Sequence, residues 1–297
     1  MTLPVKAGAW QKALSGGPSP VSGGRPRYSR RSRPLAACEI WQACRVSSCP
    51  WQAGFGVRFD WGPVGAEQLT TPDGCVVVVD VLSFTTSVSV AIEAGTRVYP
   101  YPWAHGAAEA YADEVDAALA VGRLAASGDS PYSLSPAALR RAPFTPRLVL
   151  PSPNGSAIAA AAGDAAVLAA SLRNFTATAS WLRESGYATP ERPAVVIGAG
   201  ERWPDDSLRP AVEDMLGAGA VISALRQLGG GPLSAEAEAA LACFEGTSDI
   251  AAAAAACASG RELIDGGFAE DVAIAAELDA CDIAAVLVDG AFTPQRH

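Results

Sequence analysis

From Gly74 onward the chain alternates apolar runs with stretches whose apolar residues recur at helical spacing. That is the pattern of an α/β protein with a mainly parallel sheet. The first strand is expected over Val76 to Leu82, followed by a helix from about Thr85 to Ala94 that Gly95 closes. "TRVYPYP" predicts a short strand, and "AHGAAEAYADEVDAALAVGRL" a long amphipathic helix. Ser127 to Pro146 is turn-rich and is expected to cross the surface. "RLVLPSPNGSAIAAAAG" reads as strand, turn and helix, with Asn154-Gly155-Ser156 at the junction. "AAVLAASLRNFTATASWLRESG" repeats the scheme, with Asn174 as the expected N-cap. "RPAVVIGAGERWPDD" supplies a further strand, running into an acidic loop, and "LRPAVEDMLGAGAVISALRQLGGG" a helix closed by glycines. Residues 234–280 read as helical in three segments broken near Gly246 and Gly266, and "IAAVLVDGAF" as the last strand.

Polar residues recur where these strands give way to helices, at Asp80, Asn154, Asn174 and Glu201. Ligands of open α/β sheets collect at the carboxyl ends of strands, so these junctions are candidates for the lining of one crevice. At the first of them, "CVVVVDVLSFTTSVSVAIEAG" carries four valines into Asp80 and then into Thr85, Thr86 and Ser87 at a helix start. Free amides and the helix dipole attract an anion there. Asp80 would share such a site only with a bridging cation, and Mg2+ needs few protein ligands because it keeps waters. The alternative is that Thr85 caps the helix while Asp80 pairs with backbone amides.

The turn "PSPNGS" offers Asn154, Gly155 and Ser156 to phosphate or sulfonate oxygens, or is a plain Asn-Gly turn. Arg173, beside Asn174, can fork two oxygens of a phosphate or carboxylate, or stand solvated. Between Gly198 and Gly219 lies the densest acidic patch, with Glu201, Asp205, Asp206, Glu213 and Asp214. A dinucleotide fingerprint there would need a glycine where Trp203 stands. Glu213 and Asp214 are adjacent in a helix and point about 100° apart, so at most one faces a pocket squarely.

Composition narrows the chemistry. The 297 residues suffice for one large domain or two of ordinary size, and the net charge of −9 argues against a nucleic-acid partner. Residues 1–50 hold two lysines, six arginines and one acid, whereas the rest holds 14 arginines, 30 acids and no lysine. A lysine-free body excludes Schiff-base and Walker-type chemistry. Only His105 and His297 exist, so a Ser-His-Asp triad would rest on His105 and acid–base work falls to carboxylates. Seven cysteines form no CxxC: Cys38, Cys44 and Cys49 lie in the basic head, and the others are expected to be small buried thiols in a reducing cytosol. No apolar run is long enough to span a bilayer, so no membrane partner is expected. Residues 1–56 form an extension whose composition predicts disorder, or which precedes the natural start at Val57. Residues 57–297 form the body, in one or two lobes.

Taken in order, "VVVVDVLSFTTSVSVAIEAGTRVYP", "SLSPAAL", "LPSPNGS", "ASLRN", "LRPAVEDMLGAGA", "SGRELIDGGFAEDVAIAAELD" and "VLVDGAF" resemble the 2-phosphosulfolactate phosphatase family across about Val76 to Phe292. The resemblance implies a layered α/β/α fold with a mainly parallel or mixed sheet. It also implies magnesium-dependent hydrolysis of the phosphate monoester of a sulfonated three-carbon acid. Asp80, Thr85, Thr86, Asn154, Gly155, Ser156, Asn174, Glu201, Glu213 and Asp214 fall on the family's motif positions. Many members have arginine after Asp-Val-Leu, where this chain has Ser83, and Gly-Asn-Ser-Pro where it has Ser133 to Pro136.

The expectation is thus a cytoplasmic Mg2+-dependent phosphatase of a small phosphorylated acid, with a homo-oligomer left open. Asp80 with Glu213 or Asp214 would hold Mg2+. Helix N-terminal amides with Thr85, Thr86, Asn154 and Ser156 would cradle the phosphate, Gly155 and Asn174 would also bind substrate, and Arg173 would meet the substrate's acid group. Glu201 would orient the attacking water. An aspartyl-phosphate at Asp80, a non-catalytic binder of anionic metabolites and a hydrolase of another phosphorylated hydroxy acid are the alternatives.

Overall fold

The computed structural model describes residues 50–102, 107–125, 127 and 130–296. The three head cysteines, His105, His297 and most of the 1–56 extension lie outside the described residues. Pro50 to Gly56 already belong to the folded body. The Gln52 side chain is buried and donates to the Phe59 carbonyl at 2.9 Å, while the Phe59 amide donates back at 3.1 Å.

Nine strands form one sheet, a single layer that runs through the body. In chain order they are β1 (Val57–Trp61), β2 (Cys75–Val79), β3 (Arg97–Pro102), β4 (Ala118–Leu119), β5 (Arg147–Ser152), β6 (Ala166–Ala170), β7 (Ala194–Gly198), then, after a small two-stranded hairpin of β8 (Glu201–Arg202) and β9 (Leu208–Arg209), β10 (Ala284–Val288) and β11 (Ala291–Gln295). The sheet order is β1-β7-β2-β6-β10-β11-β3-β5-β4. The first four run parallel, the β10–β11 hairpin is antiparallel to its neighbours, and β3, β5 and β4 are parallel again.

Both faces of the sheet are covered, which is why its central strands are almost wholly apolar. All five residues of β2 are buried. Val76 and Val78 meet α1 (Gly62–Leu69), α2 (Phe84–Glu93) and α5 (Gly155–Ala161) on one face. Val77 and Val79 meet α6 (Phe175–Glu184), α7 (Val212–Gln227) and α8 (Ala235–Glu245) on the other. The result is the layered α/β/α arrangement with a mixed sheet.

Three local expectations need correction. The long helix read over residues 104–124 is, among the described residues, only α3 (Ala108–Glu114). Asp116 turns to a φ of +50°, and Ala118 and Leu119 leave to pair with Leu148 and Val149. Three acids crowd that C-terminal end, where the helix dipole disfavours them. The second correction concerns residues 234–280, which make four helices rather than three: α8, α9 (Ile250–Ala256), α10 (Ala258–Asp265) and α11 (Ala269–Ala275). The extra break falls at Cys257, whose thiol accepts the Gly260 amide at 3.3 Å and caps α10. The third is that the body's sheet begins before Gly74: β1 and α1 are regular elements, signalled by the spacing of Val57, Phe59 and Trp61. The remaining helix, α4 (Pro136–Arg141), interrupts the stretch read as turn-rich. Among the described residues no helix is long and apolar enough to cross a membrane.

Candidate active site

The loop between β2 and α2 closes on itself before it meets anything else. Thr85 Oγ1 donates to the Asp80 carbonyl at 2.8 Å and accepts the Asp80 amide at 3.0 Å. Thr86 Oγ1 donates to the Val81 carbonyl at 2.7 Å. Both threonines are fully buried, so their hydroxyls shape the turn and are spent within it. Asp80, at the turn's entrance, accepts the Phe84 amide on Oδ1 at 3.1 Å and the Gly155 amide on Oδ2 at 2.9 Å. The backbone-paired alternative for Asp80 is therefore present in the structure, and each oxygen keeps a lone pair beyond it.

Gly155 is required there by close approach. A Cβ at this position would collide with the Phe84 ring and lie 2.9 Å from Asp80 Oδ2. Gly155→Ala is expected to cost about 1–3 kcal/mol through overpacking. It should also lower kcat by displacing Asp80. Thermal melts and initial rates measured together check this, and unchanged rates would disconnect the contact from function.

Two carboxylates come from the start of α7. Asp214 accepts the Val81 amide at 2.7 Å and the Gly200 amide at 2.8 Å, tying the loop after β2 to the loop after β7. Gly200 holds a φ of +65°, which lets its amide turn toward Asp214. Glu213 is also buried, beside Cys257, whose thiol donates to the Ala254 carbonyl at 3.1 Å. Both side chains are thus enclosed, because loops wrap the helix start from two sides. Glu201, in β8, accepts Asn154 Nδ2 at 3.2 Å.

Burial, relieved partly by the Phe84 and Gly155 amides, pushes Asp80 up to about 6. Burial and then the Asp80 and Glu213 charges push Glu201 up to about 7. Asp214 rises well above the ordinary carboxylate range for the same reasons. Four acids thus share one neighbourhood. The nearby cations are already engaged: Arg209 with Glu262 at 2.8 and 3.0 Å, Arg123 with Asp271 at 3.1 Å. A divalent cation would offset that charge imbalance. Among the described residues no three His, Cys, Asp or Glu side chains are arranged to hold a metal ion.

Two cavities meet at Glu201. The larger, of about 670 Å³, is lined by Leu82, Arg123, Leu134, Leu263 and Phe268 among others. The smaller, of about 330 Å³, lies against Trp61, Asn154 and Arg202.

Not every sequence candidate reaches this place. Arg173, expected to meet the substrate's acid group, is 1% exposed, and its guanidinium is taken by Glu93 at 2.7 Å, by Glu277, and by Ser89 at 3.3 Å. Glu93 ends the helix that begins beside Asp80, so about 15 Å of helix separates them at 1.5 Å per residue. Asn174 accepts the Ser171 amide at 2.9 Å and donates to the Ala169 and Ile283 carbonyls, which makes it a brace of the loop after β6. Ser156 donates to the Tyr101 and Ser152 carbonyls and is buried. The hydroxyls of Thr85, Thr86 and Ser156 and the side-chain amide of Asn174 are thus turned toward backbone groups of their own loops. Asp80, Asn154, Gly155, Glu201, Glu213 and Asp214 do come together.

Arg123, Asp271 and Ser135 were missed. Arg123 falls in the stretch read as one long helix, and Asp271 reads from sequence as an ordinary acid in a first helical turn.

Residues 63–290 match the family model described as 2-phosphosulpholactate phosphatase. No curated protein matches the chain.

Proposed function

Because the chain belongs to the 2-phosphosulpholactate phosphatase family, and is by that membership a phosphoric monoester hydrolase, we infer that it hydrolyses 2-phosphosulfolactate to sulfolactate and phosphate, with Mg2+ as cofactor. The observation that carries this reading is the position of Glu201, raised to about 7, in the wall common to both cavities and within the electrostatic reach of Asp80.

Asp80 with Glu213 or Asp214 would hold the cation, since each oxygen of Asp80 and of Asp214 accepts one backbone amide and keeps a lone pair. When bound, Mg2+ supplies charge neutralisation at a phosphoryl oxygen, the main aid a protein can give this reaction. Glu201 is suited to general-base work because its pKa lies near neutrality. It takes a proton from the attacking water as the new P–O bond forms. The ester P–O bond breaks, and the leaving alkoxide takes a proton from solvent water to give the free hydroxy acid, while the proton on Glu201 returns to solvent. Asn154 fixes the Glu201 carboxylate, and Asp214 fixes the two loops that carry Asp80 and Glu201. An aspartyl-phosphate at Asp80 is the mechanistic variant, distinguished by ¹⁸O labelling and trapping with a phosphate mimic.

A second reading has one specific support. Leu82, Leu134, Leu263 and Phe268 give the larger cavity an apolar wall, which suits a phosphorylated hydroxy acid with an apolar arm. Phosphate release from a panel of phosphorylated hydroxy acids, with and without a sulfonate, ranks the two. Strong preference for sulfonated members supports the first reading, and indifference to the sulfonate sinks it. Absence of turnover on every member would leave the non-catalytic binder.

The carboxylates set a pH dependence. Asp80 rises from an ordinary 3.8 to about 6 and Glu201 from 4.5 to about 7, so both hold protons more tightly folded than unfolded. Their contribution to metal-free stability is full below about pH 4 and is lost as pH rises through 6 to 7. Mg2+ needs the ionised forms. Its effect on Tm is therefore expected to be several degrees larger at pH 8 than at pH 5. Melts with and without Mg2+ at both values check this, and equal shifts would contradict it.

A further inference from the structure

Arg123, unlike Arg173, lines the cavity beside Glu201, and its surroundings differ. Its Nε donates to Asp271 Oδ2 at 3.1 Å, and its Nη2 donates to Ser83 Oγ. Asp271 is 1% exposed and is itself fixed on Oδ1 by Ser135 Oγ at 2.5 Å and the Ala137 amide at 3.1 Å. The Phe268 ring lies 5.9 Å from the guanidinium carbon. The arginine is thus held on one edge by a buried carboxylate and a hydroxyl, and flanked by an aromatic ring. Its side chain keeps 18% exposure where it lines the 670 Å³ cavity.

A guanidinium has five N–H donors, and these contacts occupy two. Among the described residues the Nη1 hydrogens have no partner. Arg123 is also the one cation among the described residues that line this cavity, which Glu201 and Glu262 line as well. Arg173 offers no such surface, because carboxylates and Ser89 already take its donors.

We propose that Arg123, oriented by Asp271, is the specificity-determining residue that receives the substrate's non-phosphate acid group, a carboxylate or sulfonate, through a paired N–H contact. The proposal rests on the phosphatase reading for the identity of the substrate, though not for the contact itself. Two oxygens of a carboxylate or sulfonate match the arginine fork, which a lysine cannot reproduce. Asp271 is a positioning residue: it holds Nε, so that Nη1 is presented to the cavity.

Calorimetric binding of two non-hydrolysable probes separates the contact from turnover. Phosphonoacetate carries a phosphonate and a carboxylate, whereas methylphosphonate lacks the acid arm. Wild type is expected to bind phosphonoacetate about tenfold more tightly or better. Arg123→Gln should abolish that preference, Arg123→Lys should keep a fraction of it, and Asp271→Asn should reduce it severalfold. Arg123 reaches the surface, so folding of its variants is expected, and circular dichroism verifies it. In turnover, Arg123→Gln should raise KM for a phosphorylated hydroxy acid at least tenfold, and by a clearly smaller factor for p-nitrophenyl phosphate, which lacks the second acid group. No preference in wild type, or an equal preference in Arg123→Gln, overturns the proposal. A preference that depends on Arg123 in a protein with no phosphatase activity would uphold the contact and reject the phosphatase reading instead.

Discussion

Asp80→Asn is expected to lower kcat at least about 10³-fold while moving Tm by only a few degrees. The activity loss follows from Asp80's proposed place as the common element of metal and phosphate handling, where removal of one electrostatic contributor costs about 10²–10³ and of a reacting group more. The small stability effect is a balance. An asparagine can accept only one of the amides of Phe84 and Gly155 well, because its Nδ2 would face the other. Leaving one buried amide unpaired costs about 1–3 kcal/mol. Against this, the substitution removes a buried charge already raised to about 6 by burial. A progress curve and a melt on the same preparation separate the terms. Retained turnover would remove Asp80 from the mechanism, and a collapse of Tm would make it structural.

Arg173→Ala is expected to do the reverse. Arg173 is the largest fully buried side chain among the described residues. Its truncation leaves a cavity and removes hydrogen bonds to two carboxylates. Large-to-small substitutions in cores cost about 2–5 kcal/mol. Glu93 and Glu277 keep 45% and 34% exposure, so they can rehydrate and the ion pairs themselves add little. A loss of about 3 kcal/mol corresponds to roughly 6–12 °C in Tm for a domain of this size. Substrate KM should stay within about threefold at a temperature where the variant is folded. A raised KM with unchanged Tm would return Arg173 to the substrate.

The contrast between the two arginines shows what the sequence could and could not convey. Four valines before Asp80, an Asn-Gly turn after β5 and an acidic pair at the start of α7 are local signals. They place Asp80, Gly155, Glu213 and Asp214 at strand–helix junctions, where the fold gathers them. The ends of β2 and β7 meet because those strands pair in parallel register, Val79 beside Gly198. What local signals do not carry is the direction of a side chain. Thr85, Thr86 and Ser156 have carbonyls within reach in their own turns, and those carbonyls take the hydroxyls. Asn174 likewise has an empty amide at Ser171 to satisfy.

Arg123 was hidden for a different reason. Apolar spacing over residues 104–124 imitates a helix, yet Asp116 in the left-handed region and the pairing of β4 with β5 redirect the chain. The guanidinium then arrives at Ser83 from 40 positions away in sequence. Relatives that carry arginine after Asp-Val-Leu would have a guanidinium near the same loop. The serine here accepts a hydrogen bond from one supplied by another segment.

The most direct measurement is phosphate release from 2-phosphosulfolactate by the full chain before chelation, after it, and after Mg2+ is restored. The account predicts steady release, loss with chelator and recovery with Mg2+. Undiminished release in chelator, or none with Mg2+ present, would contradict it.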